Sequence, residues 1–349
     1  MLSCNDGSRG YFVYQCPHCN DIREVGYGCR SRLCSQCGKY YTDQWATNLS
    51  KAMFDVPHRH IVLGCPPAIW NVLLHQRNLW KVMMDSAITG LNDVLSRKLH
   101  KRMKIGAIIV LHPFSRDLSF KPHLHLLITE GGFYKNHWVP NFYFPHNAMR
   151  KTWQYNLLTN LKKSLPPSDA NSRFIHSQFQ QYPKGFYVYL PQKGRIVSKR
   201  DIAKYVGRYV RHPAIANSRI VEYDEFTVKY WYKDNEEKRH DCSLPVMKFI
   251  ELIIQHIPER QFKMIRYYGI YSRRLKKKYR IFFGLQSIRQ LKLTKSSRER
   301  RVICPNCGQL MEFLIFLKPG PPIVHLFGKK IEDWGSIARA KGQSISLTK

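Results

Sequence analysis

Cysteine spacing is the feature that most constrains the fold of this chain, because clustered cysteines tie separate segments to one metal ion. Of the ten cysteines, six lie within the first 37 residues. Two pairs have the CxxC spacing, Cys16-Pro-His-Cys19 and Cys34-Ser-Gln-Cys37, with 14 residues between them. That interval is just short of the roughly 15–20 residues typical of four-cysteine zinc sites. The spacing predicts a loop-rich module around a structural Zn²⁺ with four ligands: Cys16, Cys19, Cys34 and Cys37.

Other residues leave the ligand set open. Cys29 lies near the second pair and could replace one ligand, as could His18 inside the first pair. A third pair, Cys304-Pro-Asn-Cys307, has no partner pair beside it in the sequence. It is a candidate half of a second zinc site, or a turn without metal. Its other half could come from Cys4, Cys29, Cys65 or a histidine.

The net charge indicates a polyanionic partner. The chain has 57 Lys and Arg against 24 Asp and Glu, a formal charge of +33. With 44% hydrophobic and 13% aromatic residues it can build buried cores, which excludes a disordered basic tail. Residues 258–301 hold 15 Lys and Arg against two Glu, and Tyr267, Tyr268 and Tyr271 lie in the same segment. We expect this segment to hold nucleic acid by charge and by stacking of bases on tyrosines, although core packing of these tyrosines is the alternative.

The chain shows no sign of a membrane segment. No run approaches the roughly 18 apolar residues of a spanning helix, and the first ten residues lack the apolar core of a secretory signal. We therefore expect a cytoplasmic protein in which the thiols stay reduced.

Hydrophobic periodicity predicts an α+β fold with a mainly antiparallel central sheet. The predicted strands include 58–65, 105–111, 122–129 and 186–190; the predicted helices are 68–101, 145–165, 198–211, 244–256 and 258–274. We expect three regions: a zinc-binding module over 1–50, a central domain over 51–235, and a basic helical region over 236–349.

Two histidines share one face of a predicted strand. His123 and His125 are separated by Leu124, and alternate residues of a strand point the same way. Two imidazoles in this arrangement can hold a catalytic metal ion and leave positions open for substrate. His112, at the end of the facing strand, is the candidate third ligand. The alternative is a pair of ordinary histidines on a polar sheet face.

Two tyrosines share one face of the predicted helix 198–211. Tyr205 and Tyr209 have the i, i+4 spacing, and their hydroxyls could attack phosphorus in turn. The alternative is that they pack as amphipathic aromatics. The neighbouring cations that we expect to hold a phosphate are Lys204, Arg208 and Arg211.

These motifs occur together in an order that resembles a known family. The CxxC module, the segment KPHLHLLITEGG and the segment AKYVGRYVRHPAIANSRI are similar to the HUH-type two-tyrosine rolling-circle transposases of insertion sequences, which carry an N-terminal zinc-binding domain. The resemblance spans about residues 4–313. It implies an HUH endonuclease core, with Mg²⁺ or Mn²⁺ on His123 and His125. It also implies that Tyr205 or Tyr209 attacks single-stranded DNA at the element ends or target and forms a 5′-phosphotyrosine.

Two further expectations complete this interpretation. Family members usually carry some tens of residues before the zinc module, so from the early position of Cys16 we expect either a truncated N-terminus or a misassigned start codon. A truncation is expected to impair recognition of DNA ends. The alternatives to a transposase are a rolling-circle replication initiator and a non-catalytic zinc protein that binds DNA. The cations that we expect to contact DNA in the basic region are Arg273, Arg274, Lys276, Lys277 and Lys278.

Overall fold

The computed structural model of the protein describes residues 4–7, 9–31, 33–141, 143–191, 203, 207, 214–234, 236–283 and 302–317. Contacts divide the chain into two compact units, Met1–Cys37 with Arg289–Lys349, and Gly38–Ile288. These boundaries differ from the predicted ones, because the region beyond residue 236 is divided between the two units. Of the predicted helix 198–211, only Ala203 and Gly207 are described, and both are helical.

The described residues form twelve strands and seven α-helices. The strands are β1 Tyr11–Gln15, β2 Ile22–Gly26, β3 His58–Gly64, β4 Lys104–Phe114, β5 Phe120–Tyr134, β6 His137–Pro140, β7 Val188–Tyr189, β8 Ile220–Tyr223, β9 Thr227–Lys233, β10 Arg239–Pro245, β11 Ile265–Gly269 and β12 Glu312–Leu317. The helices are α1 Ser35–Ala52, α2 Pro67–His75, α3 Leu79–Leu99, α4 His146–Ser164, α5 Asp169–Gln181, α6 Val246–Gln255 and α7 Arg273–Phe282.

The first unit contains a three-stranded antiparallel sheet in the order β12-β1-β2. In the central strand, β1, the side chain of Val13 is buried and that of the neighbouring Phe12 is half-buried. Phe12 lies opposite Phe316 in the register, and their rings are 4.9 Å apart. The sheet therefore joins an N-terminal hairpin to a strand from the far end of the chain.

The second unit is built on a six-stranded antiparallel sheet in the order β11-β4-β5-β3-β7, with β6 added to the end of β5. Its centre is the hairpin of β4 and β5, in which the amide of Ser115 donates to Ser119 O across the turn. The two long strands are rich in Ile, Leu and Val, as expected for strands covered on both faces. This arrangement confirms the predicted α+β class with an antiparallel sheet.

Helices cover both faces of this sheet. On one face Ile61, Leu63 and Leu124 pack against residues of α2, α3, α4 and α5. On the other face Val110 and Leu127 pack in a second cluster with residues of α1 and α7, and with Ala203. We call this second side the histidine face, since it also carries the predicted metal ligands.

The predicted helix 68–101 is two helices. α2 ends at His75 and α3 begins at Leu79, because Gln76 leaves helical geometry at φ −128° and ψ 76°. The break lets the buried Trp80 ring turn back and donate from Nε1 to Leu73 O at 2.8 Å. A buried indole N–H needs such an acceptor, and periodicity alone does not reveal it.

The predicted helix 258–274 is wrong. Residues 265–269 form β11, which pairs with β4 at the edge of the sheet, and the helix begins later, at Arg273. The open edge of β4 supplies hydrogen-bond partners that outweigh local helix preference. Gly269 ends the strand at φ +56°, and a Cβ atom at this position would lie only 1.7 Å from Ile105 O. Only glycine therefore fits at position 269.

A smaller sheet in the order β10-β9-β8 lies beside α6, with Tyr230 and Phe249 in its own apolar cluster. Within the described ranges, no helix is both long and apolar enough to cross a membrane.

Candidate active site and metal centres

The histidine pair lies on β5 as the strand pattern predicts. His123 and His125 point to the histidine face, and Leu124 and Leu126 are fully buried on the opposite face. The alternation of a strand accounts for this arrangement, because residues two apart share a face.

The structure brings His112 to this pair. His112 lies directly opposite His123 in the β4–β5 register, and His112 Nδ1 is 3.1 Å from His123 Nε2. The rings of His112 and His125 are 5.9 Å apart, and those of His123 and His125 are 5.0 Å apart. One ring nitrogen from each of the three histidines lies within 4.8 Å of the others, close enough to share one metal ion.

His60 on β3 is a neighbour of the site that sequence reasoning missed. Its Nε2 lies 3.0 Å from His125 Nδ1, and the two rings stack at 5.2 Å with an interplanar angle of 11°. The signal was in the sequence, because His58 and His60 repeat the alternate spacing of His123 and His125 in a second strand. Only the pairing of β3 with β5 shows that the two patterns meet on one face.

Hydrogen bonds orient the rings of two ligands. His123 Nδ1 lies 2.8 Å from Lys121 O, and since a carbonyl only accepts, Nδ1 carries the proton and Nε2 keeps its lone pair. His125 Nδ1 faces His60, which leaves Nε2 of His125 for a metal ion. Such partners on the second nitrogen are the usual way that proteins fix the orientation of a metal-binding imidazole.

Burial favours the neutral form of these rings. Desolvation lowers the pKa of His60 to about 4. Desolvation also lowers the pKa of His125, and the nearby charges of His123, His112 and His60 lower it further. The pKa of His123 falls for the same leading reason, burial. Neutral imidazole is the form that binds metal, so the donor set fits a divalent cation.

Two further described residues, Ala203 and Gly207, pack on the histidine face and on α1. Ala203 is fully buried in the cluster with Val110 and Leu127. A Cβ atom on Gly207 would lie 3.3 Å from Thr42 Cγ2 and 3.4 Å from Ala46 Cβ, so this glycine packs closely on α1. The predicted nucleophiles and their neighbouring cations lie outside the described residues: Tyr205, Tyr209, Lys204, Arg208 and Arg211.

The three tyrosines predicted to stack on bases have different environments. Tyr271 is only 3% exposed. Its hydroxyl forms a hydrogen bond of 2.6 Å with His58 Nε2, and it accepts a second hydrogen bond from the amide of Phe54. The prediction is therefore wrong for Tyr271, which belongs to the core. The Tyr268 hydroxyl donates to Asp85 Oδ1 at 2.7 Å, and of the three tyrosines Tyr267 is the most exposed, at 40%.

Helix α7 presents most of its cations to solvent. Its buried residue is Tyr279, whose ring lies 4.4 Å from that of Phe133. Lys276 is half-buried, and desolvation followed by the charge of Arg280 lowers its pKa. The cations that the helix exposes are Arg273, Arg274, Lys277 and Lys278.

The cysteines form two clusters, which corrects the predicted ligand set. The first consists of Cys4, Cys29, Cys34 and Cys37, with Sγ of Cys37 lying 3.6 Å from Sγ of Cys4 and 3.9 Å from Sγ of Cys29. Cys29 is thus a full member of this cluster and not an alternate. The prediction that Cys16 and Cys19 join Cys34 and Cys37 in one tetrahedron is wrong, because the β1–β2 hairpin directs its cysteines to another segment.

The second cluster joins both ends of the chain. Sγ of Cys16 lies 3.4 Å from Sγ of Cys307, and Sγ of Cys19 lies 3.4 Å from Sγ of Cys304. The pair that looked like half a site in the sequence therefore has its partners in the N-terminal hairpin. Cys65, one of the residues considered as a partner, is buried in the second unit, where burial raises the pKa of its thiol.

Comparison with known families accounts for the combination of a cysteine-rich module and a histidine-bearing sheet. A family model described as "Transposase zinc-binding domain" matches residues 1–65. A second, described as "Putative transposase", matches residues 106–278, which include the three histidines and Gly207. These matches define a transposase with an N-terminal zinc-binding domain. The chain is similar to transposases of insertion sequences along most of its length.

Two curated relatives are similar over most of the chain. The first is "Transposase for insertion sequence element IS801" of Pseudomonas savastanoi pv. phaseolicola, 28% identical over 292 residues, which are 79% of this chain and 69% of the relative. The second is "Putative transposase y4qJ" of Sinorhizobium fredii (strain NBRC 101917 / NGR234), 25% identical over 289 residues, which are 78% of this chain and 72% of the relative. No solved structure matches the chain significantly.

Proposed function

We propose that this transposase cuts and rejoins single-stranded DNA with a tyrosine nucleophile, beside a divalent cation held by His112, His123 and His125. One observation carries the proposal: the three imidazoles lie within 4.8 Å of one another on the sheet face that also buries Ala203. Ala203 and Gly207, the described residues on either side of Tyr205 in the sequence, pack on this face and on α1, which supports a nucleophile near the proposed metal ligands.

The bond changes of the proposed reaction balance without an external energy source. The hydroxyl oxygen of Tyr205 or Tyr209 attacks phosphorus, and the bond from phosphorus to the 3′ oxygen breaks as the new bond forms. The DNA 5′ phosphate stays on the tyrosine, and the proton of the tyrosine passes through solvent to the departing 3′ oxygen. Attack by the 3′ hydroxyl of another strand reverses these changes and frees the tyrosine.

The chain's own groups have defined roles in this scheme. His112, His123 and His125 would hold a cation that polarises the phosphate and offsets its charge. His123 and His125 are held in metal-binding orientation by Lys121 O and by His60. We expect Mn²⁺ to bind more tightly than Mg²⁺, because imidazole nitrogen suits transition metals whereas Mg²⁺ prefers oxygen.

A covalent DNA adduct tests the proposal. The purified chain is incubated with single-stranded oligonucleotides from the ends of its own element, labelled at the 3′ end, with Mn²⁺, Mg²⁺ or EDTA. We expect a labelled protein band that survives denaturation, requires the metal ion and is absent with duplex DNA. The 3′ label is essential, because the 5′-phosphotyrosine retains the downstream part of the strand.

Matched variants test which residues the covalent adduct requires. Tyr205→Phe with Tyr209→Phe should abolish it, and His123→Ala with His125→Ala should lower it at least 100-fold. Tyr155→Phe, which changes an exposed tyrosine on α4, should leave it unchanged. An adduct that persists in the double Tyr variant contradicts the proposed nucleophiles. Intact DNA binding with no adduct on any strand favours the non-catalytic alternative, and adducts on plasmid origins alone favour a replication initiator.

A further inference from the structure

The second cysteine cluster has the number and type of ligands that a four-coordinate zinc site needs. Four Sγ atoms, from Cys16, Cys19, Cys304 and Cys307, lie within 4.8 Å of one another, and three of the distances between them are 3.4, 3.4 and 3.6 Å. Sulfurs bound tetrahedrally to zinc at about 2.3 Å are roughly 3.8 Å apart. The three distances are slightly shorter than this separation, and all are much longer than the ~2.05 Å of a disulfide.

The two halves of this cluster have the same backbone conformation. The amide of Asn20 donates to Cys16 O, and the amide of Gly308 donates to Cys304 O, so a turn closes over each pair. Asn20 and Gly308 occupy the same place in the two turns and both are left-handed, at φ +59° and +72°. In each turn the first cysteine's amide also donates to the residue five positions later. Two matching turns of this kind form a zinc knuckle pair.

The surrounding strands bring the two knuckles together. The first knuckle connects β1 to β2, and the second is closed by a bridge between Ile303 and Leu310 just before β12. β12 pairs with β1, and a small apolar cluster of Tyr14, Val302 and Met311 packs against Cys16 and Cys304. The cluster is therefore part of the sheet and not a chance approach of two loops.

We propose that Cys16, Cys19, Cys304 and Cys307 bind a second Zn²⁺ that closes the zinc module with a segment from the far end of the chain. Cys304 and Cys307 lie outside the stretches matched by the two family models, which end at residues 65 and 278. The first Zn²⁺ belongs to Cys4, Cys29, Cys34 and Cys37. Each thiol releases its proton as it binds, so the site forms from four thiolates and one Zn²⁺. The proposal does not depend on the tyrosine chemistry.

Metal content of the full chain tests this assignment. Protein purified under reducing conditions should contain two Zn²⁺ per chain by elemental mass spectrometry. Cys304→Ser with Cys307→Ser should contain one, and Cys4→Ser with Cys29→Ser should also contain one. Cys242→Ser, which changes a half-buried cysteine outside both clusters, should keep two. One Zn²⁺ in the unaltered chain, or two in the Cys304/Cys307 variant, overturns the proposal.

Thiol protection in the unaltered chain gives an answer even if the variants fail to fold. The zinc-loaded protein is alkylated with N-ethylmaleimide with and without a chelator, and modified peptides are identified by mass spectrometry. Cys19 and Cys307 are partly exposed, so only bound metal should protect their thiols from alkylation. The chelator should raise the rate at which both thiols are alkylated at least tenfold. Rapid alkylation of both before chelation, or a disulfide between Cys16 and Cys307, contradicts the proposal.

Discussion

His60 shows how a single side chain outside the predicted motif contributes to the proposed metal site. Its Nε2 lies 3.0 Å from His125 Nδ1, and burial lowers the pKa of His60 to about 4, so its neutral ring can accept a proton from His125 Nδ1. The two histidines are separated in sequence by residues 61 to 124 and meet through β3–β5 pairing. His60 is therefore a positioning residue for His125.

Replacing His60 should weaken metal binding without unfolding the sheet. For His60→Ala we expect a roughly ten- to hundredfold loss of Mn²⁺ affinity, the usual effect of removing the partner of a ligating histidine. His60→Gln retains an acceptor and should restore most of the loss. Calorimetric titration of the full chain measures the affinity.

His137→Ala is the control for this series, because His137 is an exposed histidine on β6. It should bind Mn²⁺ like the unaltered chain. Unchanged affinity in His60→Ala would show that other contacts orient His125.

Among the elements, α7 combines a buried anchor with an exposed basic surface. Tyr279 and the neighbouring Phe133 hold the helix on the sheet, while Lys277 and Lys278 lie in solvent. A helix held on one face and cationic on the other is suited to follow a phosphate backbone. This surface is the part of the predicted basic segment 258–301 that the structure describes as helical.

Neutralising part of this surface should weaken DNA binding in a salt-dependent way. For Lys277→Gln with Lys278→Gln we expect lower affinity for single-stranded DNA. The slope of log K against log salt should also become shallower by about 0.7 for each phosphate that the variant no longer neutralises. Fluorescence anisotropy at several salt concentrations measures both quantities.

Lys162→Gln with Lys163→Gln is the matched control. This pair is also exposed, at the end of α4, which packs on the opposite face of the sheet. An equal change of slope in the two double variants would mean that α7 has no particular role and that net charge alone attracts DNA.

For the whole molecule, the two units should depend differently on zinc. The described first unit has a three-stranded sheet and one small apolar cluster around Cys16, whereas the second has two extensive apolar clusters on its six-stranded sheet. A small module with so little buried apolar surface needs its metal ions to stay folded.

Chelation should therefore unfold the first unit and spare the second. Hydrogen exchange with mass spectrometry should show loss of protection in β1, β2 and β12 when zinc is removed. Amides of β4 and β5 should keep their protection, because that hairpin is covered by helices on both faces. Retained protection of β1 without zinc would contradict a structural role for the metal, and readdition of Zn²⁺ should restore the original pattern.

Several features followed from the sequence because they depend on near neighbours. The CxxC turns, the shared face of His123 and His125, and the hairpin of the two long strands are set by local spacing and by the period of a strand. The antiparallel α+β class was predictable for the same reason, since alternating and helical patterns occur in recognisable runs.

The partners of these features were decided by tertiary structure. Cys16 meets Cys307 and not Cys37 because β1 pairs with β12, and His60 meets His125 because β3 pairs with β5. Residues 265–269 form an edge strand because they pair with the backbone groups of β4 that β5 leaves unpaired, and Tyr271, just beyond this strand, lies in the core. Local spacing determines which groups a segment can offer, but strand pairing satisfies backbone hydrogen bonds over long distances, and this pairing determines which groups meet.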